Sequence, residues 1–137
     1  MIHILTKIDK VKNFKEIFEN GKKFKTFSSQ IVLFLQPLQE EESKISYGVL
    51  ALKKIVGKKA VCRNKAKRRF RNGLLASLKI FEIENGYHIK IVALTNKNTI
   101  TSPWPQVLKD IEKHLKFIHQ EIRKAKENMN EQKINEE

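Results

Sequence analysis

One cysteine, Cys62, is all the thiol this chain carries, so no disulfide can close within it and the sequence suits a reducing compartment. With no second cysteine, no neighbouring histidine and no base beside it, Cys62 reads as a small packing residue at a helix start, not as a nucleophile or a metal ligand. Long hydrophobic runs are missing too. The apolar stretch in "MIHILTKIDK" is too short for a signal peptide, and nothing approaches the roughly 18 residues of a membrane span, so the expected compartment is the cytoplasm. The usual catalytic groupings are absent: the four histidines are scattered, no Asp or Glu pair sits beside one, and the phosphate-loop glycine pattern does not occur. His114 and His119, five residues apart, cannot face one metal from adjacent turns. We expect no catalytic residue and no metal site on the protein itself.

Carboxylates are missing where their absence matters most. The nineteen residues from Lys53 to Arg71, "KKIVGKKAVCRNKAKRRFR", carry ten Lys or Arg and no Asp or Glu, whereas outside them 18 basic residues face 15 acidic ones. This stretch therefore holds most of the net charge of +13. Such clustering calls for a polyanion. Nucleic acid fits better than a membrane, because the basic segment has Phe70, Leu74 and Leu75 but neither Trp nor a long apolar face.

The second half of the stretch should be helical, since Ala66, Lys67, Arg68 and Arg69 favour helix and neither Pro nor an interior Gly interrupts before Gly73. A turn of 100° per residue puts Ala66, Phe70, Leu74 and Ser77 on one stripe and Asn64, Lys65, Lys67, Arg68 and Arg71 on a broad opposite face. One side is anchored and the other offered. Arg forks can grip phosphate oxygens in pairs, and Lys acts as a mobile point charge.

Around this segment the pattern predicts one domain over residues 1–124 and a disordered polar tail over 125–137. A first helix is expected from about Asp9, as cap, to Asn20, closed by Gly21, with Val11, Phe14 and Phe18 on one stripe. A strand follows from about Gln30 to Gln36, with Phe34 on one face and Leu33 on the other. Phe24 and Phe27 read as ordinary core aromatics. "QEEESK" reads as the tip of a hairpin whose second strand runs from about Ile45 to Leu52, with Gly48 marking a bulge or a close approach. That strand delivers Lys53 and Lys54 to a loop. The basic helix should continue toward Phe81, then Asn85-Gly86 turn the chain into a strand over about Tyr87 to Leu94, where His88 is a sheet-face residue. "TNKNTITS" reads as a loop. Ser102 and Pro103 then start a last helix with Trp104, Val107, Leu108, Ile111, Leu115, Ile118 and Ile122 at helical spacing.

The segment "RNKAKRRFR", with Arg63-Asn64 followed by Lys65, Lys67, Arg68 and Arg71, resembles the arginine-rich helix of the bacterial ribonuclease P protein component, and Lys53-Lys54 match that family's paired lysines. The likeness runs from about Ile8 to the last helix. It implies an α/β (α+β) two-layer sandwich of order αβββαβα: a small mixed four-stranded sheet, three helices and a left-handed crossover around the basic helix. It implies a ribonucleoprotein endonuclease that removes the 5′ leader from precursor tRNA, in which an RNA subunit with Mg²⁺ carries the catalysis. The implied partners are ribonuclease P RNA and precursor tRNA, with neither DNA nor membrane. Lys53, Lys54, Arg63, Asn64, Lys65, Lys67, Arg68 and Arg71 would meet the catalytic RNA, and Phe14, Phe18 and Phe34 would line a cleft for the single-stranded leader. Two other readings stay open at this point: a general or ribosome-associated RNA-binding module without processing activity, and a protein-only nuclease.

Overall fold

The computed structural model describes residues 7–80 and 84–136; the apolar N-terminal start and Phe81 fall outside them. Its elements run β1 (Lys7–Lys10), α1 (Phe14–Asn20), β2 (Lys22–Lys25), β3 (Ser29–Pro37), β4 (Lys44–Leu50), α2 (Lys53–Val56), α3 (Ala60–Leu78), β5 (Tyr87–Thr95), α4 (Lys97–Thr101) and α5 (Trp104–Glu136). The five strands form one mixed sheet in the order β1-β4-β5-β3-β2. β1, β4 and β5 are mutually parallel, while β3 is antiparallel to both β5 and β2.

The fold is thus α+β, with five strands and five helices among the described residues in place of four and three. The added strand is β1. Asp9 does not cap a helix: it sits opposite Ser46, accepts that hydroxyl's hydrogen bond and pairs with Lys44 at 3.2 Å. Asn13 takes the cap instead, accepting from the Glu16 N–H at 3.3 Å, so the first helix is shorter than expected and Val11 stands outside it. The added helices are α2 and α4. Lys53 and Lys54 therefore open a short helix, not a loop, and Asn96 caps α4 through a reciprocal pair with Thr99 inside the expected loop.

β3 and β4 are not a hairpin, because β5 lies between them. Its run Ile89, Ile91, Val92, Ala93 is buried on both faces, and a central position covers both. The polar connection after Pro37 steps over the start of β5, with the Leu38 N–H donating to the Gly86 carbonyl at 2.8 Å and the Gly86 N–H to Glu42 at 2.7 Å.

Alternation along the strands assigns the faces. Ile31, Leu33, Ile45, Val49, Ile89, Ile91 and Ala93 pack against Phe70 and Leu74 of α3 and against Val107, Ile111, Leu115, Ile118 and Ile122 of α5. Val32 and Val92 point the other way and meet Ile17 of α1. The sheet is therefore the middle of three layers where α1 covers it, not one of two. Gly73 lets α3 approach α5 closely: a Cβ there would stand 2.5 Å from the Ile111 side chain. The last helix starts at Trp104, with the Pro103 carbonyl accepting from Gln106 and Val107. It runs to Glu136, past the Lys124 boundary that composition set, and its polar stretch is tied back by Lys126 to Glu84 at 3.1 Å and by Tyr87 to Met129.

Candidate nucleic-acid interface

Ala66, Phe70, Gly73, Leu74 and Ser77 form the buried stripe of α3, which fixes its rotation on the sheet. Asn64, Lys65, Arg68 and Arg71 are left exposed and Lys67 half-buried. Among the described residues no carboxylate reaches salt-bridge distance of any of them, or of Lys53 or Lys54. The helix also begins against its own dipole: Lys59 stands at the N-cap with no side-chain cap bond, and the first turn has no acid. A cation at that end costs a few tenths to about 1 kcal/mol, so the positive field of the terminus adds to that of the side chains.

Two arginines of the motif region donate to backbone carbonyls within the protein. Arg69 donates to the Ile100 carbonyl and, at 2.9 Å, to that of Ser102, with its guanidinium 5.7 Å from the Trp104 ring centre. It clamps α4 and the start of α5 to α3. Arg63, expected on the RNA face, is half-buried and donates to the carbonyls of Lys58 at 3.0 Å and Gly57 at 3.4 Å. It holds the loop between α2 and α3. Lys58, which the motif spacing did not single out, lines one concavity with Lys53 and Lys54.

The charge is segregated along the sheet. The segments 20–39, 43–81 and 85–109 contain no Asp or Glu, and they supply the ends of β3, β4 and β5 that lie beside α2 and α4. At the opposite end stand Glu40, Glu41 and Glu42, and Glu84 with its partners His119, Arg123 and Lys126. A polyanion approaching the first end meets no repelling carboxylate in those segments.

On the face of the sheet that α1 covers, Phe14 and Phe18 are 37% and 38% exposed. Gly48 is a close approach, as expected: a Cβ there would lie 2.7 Å from the Phe14 ring. Phe34 is half-buried, with the Lys90 ammonium 5.6 Å from its ring centre, and Lys90 pairs with Glu16 at 3.6 Å. Since Glu16 and Asn20 lie about 160° or more around the helix from Phe14 and Phe18, respectively, Phe34 belongs to the other flank of α1. The three aromatics surround α1 and do not stack along one side.

Beside Phe34 and Lys90, the same row of the sheet carries Ser46 and Asp9. Ser46 donates to Asp9 and its oxygen lies 2.7 Å from His88 Nε2, which must then carry a proton and donate. The Ser46 hydrogen bond holds the Asp9 carboxyl below its ordinary value, with Lys44 assisting. Burial, then the cations Lys44 and Lys90, lower the His88 pKa. The serine proton is aimed at a weakly basic carboxylate and the histidine is a donor, so the cluster is not poised to make an alkoxide nucleophile. Among the described residues no group of three or more His, Cys, Asp or Glu is placed to hold a metal ion, and none of the helices is long and apolar enough to cross a membrane.

The chain is similar to known proteins. In a search of curated proteins the ribonuclease P protein component of Picosynechococcus sp. is 35% identical over 85 residues, covering 62% of this chain and 67% of that one. Among solved structures, the ribonuclease P protein of Staphylococcus aureus has a TM-score of 0.57 at 21% identity, covering 80% of this chain and 93% of that one. That of Thermotoga maritima also has a TM-score of 0.57, at 20% identity, covering 81% and 96%. These two show a shared fold. The family model described as Ribonuclease P matches residues 5–119, and with that span of the sequence matched the chain belongs to the ribonuclease P protein family.

Proposed function

We propose that the two surfaces divide the labour of a ribonuclease P protein component between them, the α2–α3 face binding the catalytic RNA and the surroundings of α1 guiding the 5′ leader of precursor tRNA. The observation that carries the first half is the contrast within one helix. Arg69 and Arg63 donate to backbone carbonyls, whereas Lys65, Arg68 and Arg71, with Lys53, Lys54 and Lys58, stand exposed on a segment without Asp or Glu. Exposed unpaired cations repel one another, and binding crowded phosphates with release of their counterions relieves that repulsion. Asn64 and Lys67 border the same face.

The protein's contribution to cleavage is positional and electrostatic. Mg²⁺, which the family employs through its RNA, does not fit this surface, because protonated amines and guanidinium groups offer no lone pair to a cation. The work is suited to the cytoplasm. Reconstitution tests the reading: the full-length protein with ribonuclease P RNA should stimulate cleavage of precursor tRNA at low Mg²⁺. Binding without stimulation would leave a general RNA-binding module, and cutting by RNA-free protein would demand a different mechanism.

For the leader, the open rings of Phe14 and Phe18 offer stacking faces that tolerate any base. Phe34, under Lys90, serves the other flank with an aromatic and a cation together. Replacing Phe18 by Ala should weaken holoenzyme binding of leader-bearing substrate by roughly 5- to 100-fold, the loss of one stacked base, and leave mature tRNA nearly unaffected. Equal losses for the two ligands would indicate a packing defect in α1 instead.

A further inference from the structure

The turn between β2 and β3 presents a contrast that packing does not explain. Thr26, Ser28 and Ser29 are buried, yet Phe27 in their midst is 65% exposed. Nothing about the turn is loose. The Thr26 N–H donates to the Ser29 carbonyl at 2.8 Å, and Ser28 donates its N–H and hydroxyl to the buried Asp110 carboxylate at 3.1 and 2.6 Å. Thr99 donates to the Ser28 carbonyl, and Ser29 meets His114 Nε2 at 2.8 Å. The Phe27 carbonyl itself accepts from Asn96 at 3.2 Å and Asn98 at 3.3 Å. A backbone this restrained holds an aromatic ring in water.

Its position says for what. Ser29 pairs with Thr95, Leu94 pairs with Leu50, and Thr95 donates to the Leu50 carbonyl at 2.9 Å, so the turn stands at the same end of the sheet as the strand exit to Lys53 and Lys54. Two strand spacings, about 10 Å, separate β3 from β4. The Asn residues that hold Phe27 open α4, and Arg69 of the basic helix clamps the other end of α4, a helix only about 7 Å long. Lys25 and Lys97 are exposed beside the turn, and the Asp110 carboxylate that holds it is buried and occupied by Ser28 and Gln106. A preorganised aromatic within a predominantly cationic end of the molecule matches an unpaired nucleobase whose flanking phosphates lie on the lysines.

We infer that Phe27 is a base-stacking residue, taking an unpaired nucleobase of the RNA that the basic face holds. The inference rests on the RNA-binding reading of that face and adds a contact that no part of the charge motif contains.

Two arms separate the sources of the base: binding of ribonuclease P RNA by the full-length protein, and binding of precursor tRNA by the holoenzyme. Phe27→Ala should weaken one of them by roughly 5- to 100-fold with the salt dependence unchanged. Phe27→Trp should retain affinity and show emission, beyond that of Trp104 in the parent protein, quenched on addition of that RNA. Phe27→Leu should behave like the alanine variant. Affinities within twofold of the parent in both arms and no quenching would overturn the inference. So would full affinity of the leucine variant, which would require only apolar bulk, or an alanine variant that changes self-association while binding RNA normally. If Arg68→Ala and Arg71→Ala weaken RNA binding and Phe27→Ala does not, only this inference falls; if none of them does, the reading of the basic face falls with it.

Discussion

Replacing Arg68 and Arg71 together by alanine is expected to flatten the dependence of RNA affinity on salt by about 1.4 to 1.8 in the slope of log K against log salt concentration. Each phosphate contact contributes roughly 0.7 on a single strand and 0.9 on a duplex. At low salt the same change should cost on the order of 100-fold in affinity for ribonuclease P RNA, since two charge-assisted hydrogen bonds are removed. Both side chains are exposed and Phe70 between them is buried, so the fold should survive. Arg69→Ala supplies the contrast. That guanidinium is bound to the Ile100 and Ser102 carbonyls and lies by Trp104, so its loss should lower the unfolding midpoint and leave the salt slope in place. Filter binding or titration calorimetry from 50 to 300 mM salt distinguishes them. An unchanged slope in the double variant would mean that Arg68 and Arg71 face something other than phosphate.

The adjacent arginines show what the chain discloses before it folds and what it withholds. Helical periodicity located the buried stripe Ala66, Phe70, Leu74 and Ser77, because 100° per residue is a local property, and every one of the four is buried. It left Arg69 off the offered face but said nothing of its task, since Ile100 and Ser102 are more than thirty residues away. The role of Arg63 at the α2–α3 loop is not legible in the sequence although the carbonyls it meets are only five and six residues distant, because backbone acceptors carry no sequence signature. Strand pairing was the least legible. The apolar run of β5 announces a buried strand but not its neighbours, and inserting it between β3 and β4 turned an expected hairpin into two separate pairings. β1 escaped notice because Asp9 and Asn13 are both good caps, and only the partner Ser46 decides between them. Phe27 has no local feature that separates it from a core aromatic, and the restraint of its turn is visible only once Asn96, Asn98 and Asp110 come together from distant segments.

The same polar turn predicts how the protein responds to acid. His114 lies buried between Phe24 and Phe70, its Nε2 meeting Ser29 and Thr26, while its Nδ1 is buried with no hydrogen-bond partner among the described residues. Burial pushes its pKa down to about 4, against a weaker opposing pull from Asp110 one turn earlier on α5. Of the other side chains facing it, Thr26, Ser29, Phe24 and Phe70 carry no charge. The unfolded chain, with an ordinary histidine near 6.5, binds a proton that the folded protein refuses. Stability is therefore fully present above pH 6.5 and falls as the pH drops from there toward 4, where this residue alone has cost about 3 kcal/mol. Carboxylates held low by their partners, Asp9 and Glu84, begin to withdraw their own support as the pH falls through the usual carboxylate range. Urea unfolding of the parent and of His114→Gln between pH 7.5 and 4.5 isolates the histidine. The parent should lose the larger share of its stability over that range and the glutamine variant only the smaller part due to His88, whose pKa is also lowered, so that the gap between the two curves narrows or inverts as acid is added. Parallel curves would mean that His114 takes up its proton without leaving the core, with the orphaned Nδ1 finding an acceptor that the neutral form does not use.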